Sequence, residues 1–274
     1  MASVESGFVK SAGASIHYES MGDGRPCIML HAGVADSRQW NNEFAWLGEG
    51  YRAIRYDLRG FGQSVPVDAE FSHKQDLEAV LEQLKIREPA LLLGCSMGGT
   101  LAMDYALDNP ARVYALVMVS SGPSGLKLDV PPHPLAASAE KAYSDGDLDK
   151  VAELETRIWF DGMGREAGDV DPEMRSLALE MNRTGLTHDA MHIGKQLPDS
   201  DSPAADRLAE LNLPVLIIIG DQDIPYILAA ADVMQSRIPG ARRVVIEDAA
   251  HLANMDQPGR FQRAVTEFLA DLPV

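Results

Sequence analysis

Cysteine is nearly absent, with Cys27 and Cys95 the only two in 274 residues. Two cysteines make no disulfide framework, and their spacing offers no metal site. Cationic charge is also scarce: 24 Lys and Arg stand against 41 Asp and Glu, a net charge of −17. A surface that negative repels phosphate backbones and anionic lipid, so neither nucleic acid nor a membrane is an expected partner. No apolar run approaches the ~20 residues of a membrane span. Met1–Gly13 lacks the basic segment and apolar core of a signal peptide, so the expectation is a soluble, cytoplasmic-type protein. Repeats and low-complexity tracts are missing too. The remaining composition, 46% hydrophobic and 24% charged, excludes disorder and coiled coil. The length suits one large α/β domain or two small ones.

What is present is a series of short β-rich runs: 7–10, 15–20, 27–31, 51–57, 90–95, 113–120, 215–220 and 243–247. The first two alternate around Ala12-Gly13, as an antiparallel hairpin does. The later ones are continuously apolar, as strands buried on both faces of a parallel sheet must be. Helical stripes lie between them. Leu77, Val80, Leu81 and Leu84 predict a helix over 76–84, residues 100–107 read as another, and Phe261, Ala264, Val265 and Phe268 predict one over 258–269 with Pro258 near its start. This alternation predicts a mostly parallel, eight-stranded α/β sheet flanked by helices. Residues 123–209 break it, with helix-like stretches at 139–160 and 172–181. The expected organisation is one domain, a core of 1–122 and 210–274 with a helical insertion after the sixth strand.

Gly94-Cys95-Ser96-Met97-Gly98 follows a buried run and opens a helical one. Such a strand-to-helix turn strains its middle residue and exposes the hydroxyl, while small neighbours let backbones pass closely. The bare G-x-S-x-G string turns up by chance in about 0.1 copies per chain of this length, so its context carries the argument. A serine needs a base to take its proton. In elbows of this kind the partners follow in the order nucleophile, acid, histidine. Of seven histidines, only His251 lies beyond the last strand run. The acid belongs at the end of the preceding strand, where Asp221 and Asp223 stand. Asp223, farther into the loop, is preferred as the orienter, with Asp221 expected to cap the turn or the next helix. Oxyanion donors are expected from the backbone N–H of Met97, after the nucleophile, and of Gly33 in the loop after the third strand, with Val34 as the fallback.

Four stretches together resemble the α/β-hydrolase fold family, in its single-domain, lidded esterase form. They are Leu30-His31-Ala32-Gly33 with Trp40 downstream, Tyr56–Ser64, the serine elbow, and Gly220–Pro225 with His251. Asp57–Ser64 matches the family's D-x-R-G-x-G-x-S stretch at every fixed position. Ala32 departs from the usual glycine and adds a Cβ beside the oxyanion loop. The resemblance implies that His31, Asp57 and Arg59 organise loops rather than react. Family members acting on halides or epoxides use aspartate where this chain has Ser96, so those activities are disfavoured.

The resemblance implies that the insertion is a lid shaping the substrate pocket. Val34, Trp159, Phe160, Met163, Met181, Met191 and His192 are the pocket candidates, and for each the plain alternative is packing on the main domain. No basic cluster marks a carboxylate or phosphate site, although Arg157 or Arg183 is available for one. His188 and His192 have an i, i+4 spacing but no third ligand in view, so no metal is expected. The expected activity is a cofactor-free serine esterase on a small ester, run by Ser96, His251 and Asp223. A lactonase, a C–C bond hydrolase and an acyltransferase with the same residues stay open, as does a binding protein that retains the triad. Monomer and homodimer are both compatible with the sequence.

Overall fold

Alternate residues of the apolar runs face two different helix layers, and this double burial sets the architecture. The computed structural model describes residues 3–272; positions 1–2 and 273–274, the ends of the expected core ranges, lie outside the described residues. Among the described residues the main sheet holds β1 (Glu5–Ser11), β2 (Ala14–Met21), β3 (Arg25–Leu30), β4 (Tyr51–Tyr56), β5 (Ala90–Cys95), β6 (Val113–Val119), β7 (Val215–Gly220) and β8 (Arg242–Ile246). Their spatial order is β1-β2-β4-β3-β5-β6-β7-β8. β2 pairs antiparallel with β1 and β4, and every pairing from β4 to β8 is parallel. The expected mostly parallel, eight-stranded α/β sheet is what the chain forms.

The helices are α1 (Asn41–Leu47), α2 (His73–Gln83), α3 (Met97–Asp108), α4 (Ala136–Ser144), α5 (Leu148–Thr156), α6 (Pro172–Asp189), α7 (Pro225–Arg237), α8 (Ala253–Asp256) and α9 (Pro258–Ala270). On one face Ile28, Leu92 and Ile217 share a core with Leu77 of α2, Leu101 of α3 and Met234 of α7. On the other, Met29, Leu93 and Ile218 share one with Phe44 of α1 and Phe261 and Val265 of α9. Among the described residues no helix is long and apolar enough to cross a membrane.

Local chemistry moves several boundaries from where periodicity puts them. α2 starts at His73 rather than 76, because Ser72 and Gln75 form a reciprocal capping box. The stretch 139–160 is not one helix. Gly146, at φ 77°, ends α4, and the Asp147 carboxylate then caps α5 by accepting from the Lys150 N–H at 3.1 Å. Residues Arg157–Asp161 wind as a π-helical turn that stops at Gly162, φ 84°. α6 runs eight residues past 181, to Asp189. A parallel pair, Glu70–Phe71 with Lys195–Gln196, joins the end of the insertion to the core and has no counterpart in the sequence reading.

Asp57 and Arg59 organise loops. The Asp57 carboxylate accepts the N–H groups of Ser37 (2.9 Å) and Gln63 (2.8 Å) and lies 3.3 Å from His17 Nδ1. These partners outweigh its burial and hold its pKa at about 2. Arg59 makes a two-pronged pair with Asp76, at 3.0 and 2.7 Å, and both side chains are fully buried. Its remaining reach is taken by the Ser11 carbonyl at 2.8 Å and by the Phe71 ring.

Candidate active site

Ser96 sits at φ 50°, ψ −116° between β5 and α3, a backbone region unfavourable for a residue with a Cβ. Close packing holds it there. A Cβ on Gly94 would lie 2.5 Å from the Gly98 carbonyl oxygen, and one on Gly98 would collide with the Leu30 backbone. The turn is anchored by Ser96 N–H donating to the Val119 carbonyl at 2.8 Å. The partly exposed side chain is left at the carboxyl end of the sheet.

Asp223 and His251 sit together in the loops after β7 and β8. Nδ1 of His251 lies 3.0 and 3.1 Å from the two Asp223 carboxylate oxygens, and the residues are 2% and 1% exposed. Asp223 also accepts the N–H of Ile224 at 2.8 Å, which fixes its rotamer. Asp221 does not cap: it is exposed, and α7 begins at Pro225 with no side-chain cap. The Trp159 ring packs on the imidazole at 4.5 Å, and the Trp159 carbonyl accepts the His251 N–H at 3.1 Å. Cys95, the neighbour of Ser96, points its thiol at the His251 carbonyl, which sets the two loops side by side. Burial pushes that thiol up to about 12, so it is not a nucleophile. Among the described residues no hydrogen bond joins the Ser96 hydroxyl to His251, whose bonded ring nitrogen is the one facing Asp223.

Gly33 and Met97 approach each other closely enough that a Cβ on Gly33 would lie 3.7 Å from the Met97 sulfur. Among the described residues the N–H groups of Gly33, Val34 and Met97 donate to no backbone acceptor in the turns and loops. Ala32 is fully buried, its methyl packed in the core, and its N–H is held by Gln39 Oε1 at 2.9 Å. His31 is structural. Its Nε2 accepts the Leu58 N–H at 2.9 Å, so Nδ1 carries the proton and donates to the Ala32 carbonyl at 2.8 Å.

Sequence reasoning missed the polar network beneath these loops. Gln39 Nε2 donates to Asn254 Oδ1 at 3.2 Å, and Asn254 Nδ2 donates to the Gln39 carbonyl (2.8 Å) and to Glu43 Oε2 (3.0 Å). It ties the loop of Gly33 to the segment after His251. The available signal was Gln39 and Glu43 at i, i+4, flanking Trp40 and next to Phe44. Burial raises the Glu43 carboxyl to about 7, against an ordinary 4.5, and its second oxygen has no partner. The folded chain therefore holds this proton longer than the unfolded one, and stability is lost as pH rises from 4.5 through 7. Glu43→Gln is expected to stabilise the protein at pH 8, by up to about 3 kcal/mol, with the two proteins converging toward pH 5. Melting curves of both across that range check it.

A cavity of about 520 Å³ opens from Gly33, Val34 and Met97 and runs between Phe61 and the inserted helices α5 and α6. Of the pocket candidates, Val34 and His192 line it. The others do not. Phe160 is 1% exposed and belongs to the core, because the π-turn rotates it inward, and Met181 is buried in the same core from α6. Met163 and Met191 point to solvent, 42% and 46% exposed. Trp159 lies against His251 and a separate cavity lined by Ile158 and Tyr143. Glu155, Asn182 and His73 line the cavity beside Gly33 and Met97 and were not singled out by sequence.

Residues 26–258 match the family model for the alpha/beta hydrolase fold. The chain is 29% identical, over 89% of its length and 90% of the relative's, to a putative 2-succinyl-6-hydroxy-2,4-cyclohexadiene-1-carboxylate synthase of Bacillus subtilis. It is 28% identical, over 93% and 99%, to a pimeloyl-[acyl-carrier protein] methyl ester esterase of Aeromonas hydrophila. Among solved structures, an N-acyl homoserine lactone degrading enzyme superposes with a TM-score of 0.74 at 26% identity, covering 95% of this chain and 99% of the other.

Proposed function

The chain belongs to the α/β-hydrolase fold family, and from that premise we propose that it is a serine hydrolase cleaving a small carboxylic ester through an acyl-enzyme. The observation that carries the reading is a strained, partly exposed Ser96 whose neighbour Cys95 touches the His251 carbonyl, next to the buried Asp223–His251 pair. Ser96 Oγ attacks the ester carbonyl while His251 Nε2 takes its proton. The N–H groups of Gly33 and Met97 hold the oxyanion. Collapse expels the alcohol, which leaves with the proton from Nε2. Water then attacks the acyl carbon, gives its proton to Nε2, and the acid departs as Ser96 recovers its own. Asp223 keeps the Nδ1–H tautomer and stabilises the imidazolium throughout.

Helices α4–α6, within residues 123–209, serve as the lid over the core of 1–122 and 210–274. The carbonyl of Trp159 on the His251 N–H supports that role, as does the Met163 N–H donating to the Gln222 carbonyl at 2.8 Å. The substrate is a small molecule, met in the cytoplasm by a monomer or homodimer. A lactonase is the second reading, favoured by the likeness to the lactone-degrading structure. A p-nitrophenyl ester series of increasing acyl length, run beside acyl-homoserine and enol lactones, tests both. Preference for the linear esters supports the esterase, and a higher kcat/KM on lactones replaces it with the lactonase. No turnover on any of them by folded protein overturns the proposal.

A further inference from the structure

Glu155, Asp189 and His188 offer acceptors to the cavity beside Gly33 and Met97, next to the amides of Asn182 and Gln196, and no Arg or Lys among the described lining residues is free. Asn182 donates to Glu155 Oε2 at 2.9 Å, while Glu155 Oε1 takes no protein donor among the described residues. His188 directs Nδ1 at the Gly60 carbonyl, 3.2 Å away, so Nδ1 carries a proton and Nε2 is left as an acceptor in the neutral ring. His73, 2% exposed, lines the same space with a buried Nδ1 that has no partner. An orphaned buried nitrogen is costly unless a ligand satisfies it.

The one Arg or Lys among the lining residues described is Arg59, and its guanidinium is consumed by Asp76 and the Ser11 carbonyl. The two arginines that sequence left available for a carboxylate are elsewhere. Arg157 pairs with Glu166 and Arg183 with Asp149, both outside the cavity lining. A carboxylate entering here meets Glu155 and Asp189 and no free Arg or Lys, with only the imidazoles of His73, His188 and His192 beside them. The cavity is lined by the proposed oxyanion residues Gly33 and Met97 and by neither Ser96 nor His251, so it opens beside the oxyanion position and away from the histidine that protonates the leaving alcohol. The acyl part of the substrate is the part assigned to it.

We propose that this cavity selects acyl groups that carry a hydrogen-bond donor, a hydroxyl or amide N–H, and no carboxylate, with Glu155 as the residue that reads them. The inference rests on the serine-hydrolase reading and narrows its substrate class. Desolvation and the nearby Asp189 push the Glu155 carboxyl up, in keeping with a group that a donor would relieve.

The test uses three p-nitrophenyl esters of matched acyl length, ending in methyl, hydroxyl or carboxylate, with Ser96→Ala and Glu155→Gln beside the wild type. The hydroxyl ester is expected to exceed the methyl ester in kcat/KM, and a value at or below the methyl ester's overturns the selection of donors. The carboxylate ester is expected to fall at least about tenfold below it, since it brings a second negative charge into an acidic, partly buried space. Glu155→Gln should narrow the methyl-to-carboxylate gap by roughly threefold or more, a ratio within one protein that incomplete folding does not move. A carboxylate ester preferred over the methyl one, equal rates on all three, or an unchanged gap in Glu155→Gln overturns the inference. Turnover surviving in Ser96→Ala instead overturns the serine-hydrolase reading beneath it.

Discussion

Ser96→Ala is expected to lower kcat by about 10⁵–10⁶ on any ester the protein turns over. The loss is large because no other group in the site replaces the nucleophile. Cys95 is buried with its thiol directed at a carbonyl, and the Asp223 carboxylate is engaged by His251 and Ile224. The fold should tolerate the change. Alanine keeps the Cβ that already sits at φ 50°, and the Ser96 hydroxyl supports no hydrogen bond among the described residues. Steady-state kinetics with a melting curve check both halves. Turnover within a hundredfold of wild type, in protein free of wild-type enzyme, would sink the mechanism, because the catalysis that binding and an oxyanion hole retain without the nucleophile is far smaller than that.

Asp223→Asn comes next, with an expected loss of about 10⁴ in kcat at little cost to the fold. Asparagine can keep one oxygen on the Ile224 N–H, which Asp223 now accepts at 2.8 Å. Its amide then faces His251 Nδ1 and donates to it. That places the ring proton on Nε2, where it blocks acceptance of the Ser96 proton. Asp221→Asn, on the exposed neighbour, should leave kcat close to wild type. A larger loss in Asp221→Asn than in Asp223→Asn would move the orienting role.

How much was legible in the sequence follows from which forces act locally. The strands were readable because residues buried on both sides must be apolar at every position, as in Leu91-Leu92-Leu93. Chain order and strand ends single out Ser96, Asp223 and His251 as candidates, and the structure seats the last two against each other. The α2 start and the break at Gly146 depended on a cap and a positive φ that hydrophobic periodicity does not record. The network of Gln39, Glu43 and Asn254 joins residues more than 200 positions apart, which only the fold brings together. The directions of the inserted segment's side chains were the least legible. Hydrophobicity marks Phe160 as a candidate but does not say which way a π-turn will aim it. In the sequence Glu155 and Asn182 are indistinguishable from the polar face of any helix, and only the packing of α5 on α6 turns that face into a cavity wall.

The central claim is a covalent acyl-enzyme on Ser96. Its most direct measurement is treatment with a small p-nitrophenyl alkylphosphonate, followed by peptide mass spectrometry and residual ester hydrolysis. The account predicts a single phosphonyl adduct on the peptide containing Ser96, formed in step with loss of activity. Inactivation with the adduct on another residue, or ester hydrolysis by protein in which Ser96 is fully modified, would contradict it.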